Sequence, residues 1–378
     1  MSDEVQNPDA NDGGDAPEGT AGYVERYRRR GTTANNELLV AVTAVVAVSI
    51  FPWLFADAPV ISDVLGGYRG LATLMLIWAI FAIGFDLLLG YTGLLSFGHA
   101  AFWGGAAYAA GIFSAEVSSE PLLIVLAGTT FAVLFAWVLG FLSLRRGGIY
   151  FSILTLAFAQ MLFYMASSPL AFLTNGENGF TSVEVGPLLG VIHLDELLVY
   201  PLDILYGEML YVFVATFAVL ALLTAYRVLN SPYGTVFRAI RENEQRAEFV
   251  GLNVWRYKLM SFVLSGAFAG VAGSLFTIHG QYVPLESLFW TESGEIVIMT
   301  VLGGVGSLFG PVLGVVVYLY VENVVSGFET IGPFWHLILG VVFVVVVAVF
   351  PRGIWGIIED GYARVAGGET AADDGGER

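Results

Sequence analysis

Two ionisable side chains, Asp86 and His99, fall within or beside long apolar runs. At that depth in a lipid-embedded helix such groups are costly, and they are retained where they face a pathway or a partner. Asp86 reads equally well as a helix-end group at the membrane rim. His99 reads equally well as a core histidine bonded to a neighbouring carbonyl. The other histidines, His193, His279 and His336, are scattered, and no pair has the helical spacing of metal ligands, so no metal site is expected. There is no HExxH, GxSxG or Walker lysine motif. With no cysteine, thiol catalysis, disulfides and cysteine metal sites are excluded. The chain is expected to be neither an enzyme nor a holder of cofactors.

The elements that must position these residues are membrane helices. Hydrophobic residues make up 56% of the 378, and charged residues only 13%, about half the usual soluble share of roughly 25%. A soluble globule has no means of hiding so much apolar surface, whereas a lipid-facing bundle need not hide it. The 46 glycines suit close helix–helix packing in lipid. Acidic residues number 33 against 16 basic, a net charge of -17, which argues against nucleic acid as a partner. Lys258 is the only lysine, and an acidic surface almost without lysine is the expected signature of a protein adapted to very high salt.

The first twenty residues are acidic, rich in Gly and Pro and too polar to fold, and they do not read as a signal peptide. The expected organisation is an acidic N-terminal tail with a basic juxtamembrane cluster over 1–30, a transmembrane domain over 31–356 and an acidic tail over 357–378. Ten apolar spans are expected, at about 38–55, 71–89, 97–114, 121–143, 149–166, 209–226, 258–279, 294–306, 311–326 and 334–350. The eighth is short and ends in glycine, as a half-helix would, which leaves nine spans possible. With ten, the clusters at Arg26–Arg30, at Arg145 and Arg146, between 227 and 258, and at Arg352 all fall on the cytoplasmic side, and both termini with them. The acidic loop at about 167–208 is then external, and too long to be a simple turn, so it is expected to fold or dock.

Three segments interrupt the apolar pattern. The first runs from Asp86 to Tyr108, where Gly90, Gly93 and Gly98 break the chain between two spans. The second is the cytoplasmic stretch 231–251, read as one amphipathic helix of about four turns. Ser231 and Pro232 open it and Gly251 stops it. Such a helix lies on lipid or docks on a partner protein; Glu242, Glu244 and Glu248 would be repelled by an anionic membrane, which favours the partner. The third is 301–314, whose glycines lack the lysine of a phosphate loop and read as a tight turn with close helix packing.

These segments, in this order, resemble the membrane-spanning permease of branched-chain amino acid ABC transporters of the LivM type. The resemblance is carried by LLLGYTGLLSFGHAAFWGGAAY, GGIYFSILTLAFAQM, SPYGTVFRAIRENEQRAEFVGLNVWRYKL and VLGGVGSLFGPVLG, with TNGENGF at 174–180, and it covers about 38–356. It implies an all-α importer permease that pairs with a second, related permease and two cytoplasmic ATPases, and receives substrate from an external binding protein at the cell membrane. The family's ATPase-coupling loop matches Arg238, Arg241, Glu242, Glu244, Ala247, Glu248 and Gly251. Candidate translocation-path residues are Asp86, Thr92, Ser96, His99 and Gln160. The chain departs from the family at Arg246 and Phe249, where small residues are usual, and at Asp86, where an uncharged polar residue is usual. The resemblance implies inward transport of branched-chain amino acids, with urea or short amides as the alternative cargo. An ion-coupled secondary transporter would instead need a buried relay, for which Glu295, Glu322 and His336 near span ends are the available groups.

Overall fold

A computed structural model describes residues 40–53, 69–145, 148–197, 208–327, 334–350 and 352–359. The acidic tails, the arginines at 26–30, Arg146 and Asp203 lie outside these residues. The chain divides into two compact units, Met1–Thr43 and Ala44–Arg378. Beyond the first turn of α1, every element described here belongs to the second unit.

The helices are α1 Val40–Pro52, α2 Arg69–Thr92, α3 His99–Glu116, α4 Pro121–Ser143, α5 Ile149–Ser167, α6 Ala171–Thr174, α7 Met209–Leu229, α8 Pro232–Glu242, α9 Glu244–Phe249, α10 Val254–Gly280, α11 Trp290–Gly303, α12 Gly310–Ser326, α13 Trp335–Val349 and α14 Gly353–Glu359. Among the described residues β-structure is confined to three isolated bridges. This is an all-α polytopic membrane protein. Each of the ten expected spans coincides with a helix. Five of these, α2, α4, α5, α7 and α10, are individually long and apolar enough to cross a membrane, and the bent pair α13 and α14 makes a sixth if taken as one span. α11 has 14 residues, about 21 Å of helix at 1.5 Å per residue. That is less than a bilayer core of about 30 Å, as the half-helix reading expects.

The helices sort by depth. In α2, 94% of the most apolar stretch is buried inside the protein, against 33% in α4 and 22% in α5. α2 is apolar all round, the pattern of a helix surrounded by others. α4, α5 and α13 turn large apolar residues outward, among them Leu126, Leu134, Ile153, Tyr164, Val341 and Val344, as a lipid-facing layer does. Small residues let the inner helices meet at the backbone. Gly266 and Gly270 of α10 lie against Ala136 and Ala132 of α4, and Gly273 lies against the Trp103 carbonyl of α3. In the third segment Gly303 packs on the carbonyl of Gly310, and Gly314 on that of Met299, so the turn joins two closely packed helices as its glycines imply.

The loop after α5 does fold back. Phe180 and Val283 exchange backbone hydrogen bonds of 2.8 and 2.9 Å, and the Gly186 N–H reaches the Ser119 carbonyl at 2.7 Å. Within TNGENGF, Asn175 adopts a left-handed conformation and its side-chain amide donates to the Gly179 carbonyl at 3.0 Å. The part of the loop at 198–207 lies outside the described residues.

The stretch 231–251 differs from the single helix expected. Asn243 is extended (φ -162°, ψ 102°) and separates α8 from α9, accepting the Arg246 N–H at 2.9 Å as the N-cap of the second piece. A capping asparagine competes with helix continuation, and here it produces an elbow. Ser231 takes the N-cap position with Pro232 after it, but its hydroxyl turns back to donate to the Val228 carbonyl at 2.6 Å. Gly251 ends the elbow at φ 88°, a conformation that glycine adopts without strain.

Candidate functional site

The three interrupted segments meet at the end of the bundle that carries the elbow. The Asp86 carboxylate, near the end of α2, accepts the Gly306 N–H at 2.9 Å and so ties α2 to the turn between α11 and α12. One helical turn on, the Gly90 carbonyl accepts a hydrogen bond from the Arg241 guanidinium of α8. Glycine suits each crossing, at Gly93 and Gly306 also because φ is 78° and 83°. A methyl group at Gly90 would fall on the Asp86 carboxylate and the Gly306 nitrogen, one at Gly306 would lie 2.8 Å from the Arg241 guanidinium, and one at Gly93 would lie 3.2 Å from the Arg241 stem. Arg241 thus lies along a slot walled by glycines from the first and third segments.

Other contacts hold the elbow in place. Arg238 donates to the Leu229 carbonyl at 3.1 Å, with its guanidinium 5.6 Å from the centre of the Tyr91 ring. Lys258 of α10 pairs with Glu244 of α9 at 2.5 Å. Since Glu244 is half exposed, that pair is worth at most about 1 kcal/mol. More of the holding force is apolar: Ile240, Ala247 and Val254 form a buried cluster, flanked by Val236, Leu252 and Tyr257. Between the elbow and the ends of α2 and α5 opens a cleft of about 710 Å³. Its walls include Thr92, Gly93, Ser152, Arg241, Glu244 and Lys258.

The structure redistributes roles along 231–251. Ala247, matched to the coupling loop, faces inward at 3% exposure. Glu242, Arg246 and Glu248 are exposed, and nothing lies within 4 Å of the point where Gly251 would carry a side chain. The outward apolar residues are Phe249 and Val250, at 90% and 73% exposure. Val250 is the C-cap of α9, directly before the left-handed Gly251, and is turned out with Phe249 at the end of the helix.

The translocation-path candidates are placed as follows. Thr92 shares a 2.7 Å hydrogen bond with Ser261, and Ser96 accepts the Gly98 N–H at 3.2 Å. His99 is fully buried among Phe81, Phe85, Phe102 and Phe262, and its Nε2 meets the Ser265 hydroxyl at 2.8 Å. The partner of His99 is therefore a hydroxyl rather than the carbonyl expected. Gln160 sits apart on α5, its amide nitrogen buried without a hydrogen-bond partner. Asp86, Thr92, Ser96 and His99 are all buried, whereas Gln160 is only partly so. Among the described residues no group of three or more His, Cys, Asp or Glu side chains is placed to hold a metal ion.

Residues 67–347 match the family described as the permease component of the branched-chain amino acid transport system. The chain belongs to that family. The high-affinity branched-chain amino acid permease LivM of Escherichia coli is 28% identical to this branched-chain permease family member, over 86% of this chain and 76% of the relative. A LivH permease of Methanocaldococcus jannaschii is 28% identical over 40% of this chain and half of its own. The xylose permease XylH of Haemophilus influenzae is 28% identical over 33% of this chain and 35% of its own length. No solved structure matches the chain significantly. The matched residues take in α2 through most of α13, and with them the slot, the cleft and the elbow.

Proposed function

We propose that this protein is the permease subunit of an ATP-driven importer for branched-chain amino acids. It forms half of the translocation path with a second, related permease, and is driven by two cytoplasmic ATPases and supplied by an external binding protein. In this reading the elbow and both termini face the cytoplasm, and the 167–208 loop faces outward. Support for the cargo comes from the LivM likeness, which runs over most of both chains. The observation that carries the coupling role is the elbow itself: a segment seated on the bundle through one apolar face that presents Phe249 and Val250 bare at its tip. Two exposed apolar side chains in a rim of charge are the form of an anchor for a partner's groove, with the charges setting orientation.

Co-expression with the ATPases of the same transporter tests this. The ATPases are expected to co-purify with the wild-type chain and to be lost with Phe249→Asp. Retention of the ATPases by Phe249→Asp would remove the elbow from the docking surface.

A further inference from the structure

We propose that Gly90 is the joint through which movement of the elbow reaches the membrane core, and that Arg241 and Asp86 are its positioning residues. This rests on the importer reading and adds to it the route taken by the motion inside the subunit.

Both faces of Gly90 are engaged. Its carbonyl holds the Arg241 guanidinium, while its bare α-carbon leaves room for the Asp86 carboxylate to reach the Gly306 N–H. Three separate elements therefore meet around Gly90: α8 through the Arg241 bond to its carbonyl, α2 through its own backbone, and the α11–α12 turn through the Gly306 bond to Asp86 one helical turn earlier. Apolar packing at Ile240 and Ala247 seats the elbow against Val254 at the start of α10. Such packing tolerates small slips, whereas the Arg241 guanidinium, on an exposed side chain lining the cleft, is held at its tip by a directed bond to the Gly90 carbonyl. A bidirectional set of directed hydrogen bonds transmits displacement where a soft apolar contact would absorb it. The turn also has little compliance of its own, because Gly303 packs directly on Gly310 and Gly304 on the backbone at Arg352. When the elbow is pulled, α2 and the α11–α12 turn must follow as one body.

The absence of cysteine makes the test direct. Spin labels at Gln245 on the elbow and Val305 on the turn report whether the two move together in the full transporter reconstituted with its ATPases and binding protein. In the wild type the separation is expected to stay fixed as ATP is bound and hydrolysed. In Gly90→Ala, whose methyl displaces the Asp86 carboxylate without touching the outer face of the elbow, the ATPases still co-purify. The label separation then changes with nucleotide, and uptake falls about tenfold, the scale of one lost hydrogen bond to a charged group. Fixed separation with normal uptake in Gly90→Ala overturns the proposal. Should that variant fail to assemble, Asp86→Asn and Asp86→Ala decide the matter. Asparagine still offers an oxygen to the Gly306 N–H and keeps uptake, while alanine loses it. Equal behaviour of the two overturns the proposal as well. A wild-type complex that shows no ATP-driven uptake would instead bring down the importer reading beneath it.

Discussion

Ala247 on α9 and Ile240 on α8 share one buried core with Val254 at the start of α10. The elbow is therefore a seated part of the subunit, fixed on its inner side and bare on its outer side. Substitutions on the two sides should fail in different ways.

Ala247→Glu places a carboxylate in that small core, where the nearby cation, Lys258 one turn after Val254, is already paired with Glu244, at a cost of several kcal/mol unless the elbow unseats. Unseating is the expected outcome, seen as new protease cleavage between residues 243 and 251 together with lost uptake. Gly251→Asn, which also accepts a left-handed conformation, should leave both unchanged. Protection of the elbow in Ala247→Glu equal to the wild type would show that this core does not hold it.

His99 is fully buried among phenylalanine rings with a hydroxyl on its Nε2. Removing its hydroxyl partner by Ser265→Ala should cost about 1–3 kcal/mol, since a ring nitrogen is left unpaired in an apolar box. His99→Ala should cost about 3–5 kcal/mol, as for an aromatic-sized cavity. Thermal unfolding in detergent measures both. The cargo preference of whatever protein survives should be unaltered. A switch in preferred amino acid in Ser265→Ala would place His99 on the path instead.

Much of this was legible in the sequence. Apolar runs of bilayer length gave every helix expected to span, because lipid solvates apolar side chains on all faces and periodicity is not needed to find them. The glycine pairs around 303–314 announced close packing for the same reason. The break at Asn243 was not legible as such: 3.6-residue spacing runs through it, and an asparagine inside a charged amphipathic stretch reads as solvated surface. Counted from Ile240, helical spacing alone places Ala247 inward and Phe249 outward; what it does not show is that α9 ends at Phe249, leaving Val250 as its exposed C-cap. The convergence on Gly90 joins residues 86 and 90, one turn apart on α2, to 241 and 306, which are distant from them in sequence. Only tertiary packing brings their glycines and charges together.

Orientation has its own test. Val191 lies in the loop at the end opposite the elbow and is 78% exposed, while Glu248 is exposed on the elbow. In intact cells an impermeant thiol reagent should label Val191→Cys and leave Glu248→Cys untouched until the membrane is opened. Labelling of Glu248→Cys alone would invert the topology.

Salt should matter to the isolated protein. With 33 acidic residues against 16 basic, surface repulsion is screened over about 3 Å at 1 M salt but only over about 10 Å at 0.1 M. The solubilised protein is expected to lose its monodisperse state as salt falls towards 0.1 M, followed by size-exclusion chromatography. An unchanged profile at low salt would remove adaptation to high salt and leave the transport reading as it stands.

ATP-driven import of branched-chain amino acids through this subunit has a direct biochemical signature. The most direct measurement is substrate-stimulated ATP hydrolysis by the purified complex of this chain, its paired permease, the ATPases and the binding protein, across a panel of amino acids, short amides and urea. Stimulation by leucine, isoleucine or valine, with uptake that stops when ATP is withheld, is the predicted result. Stimulation by urea alone, or uptake that continues without ATP, would contradict it.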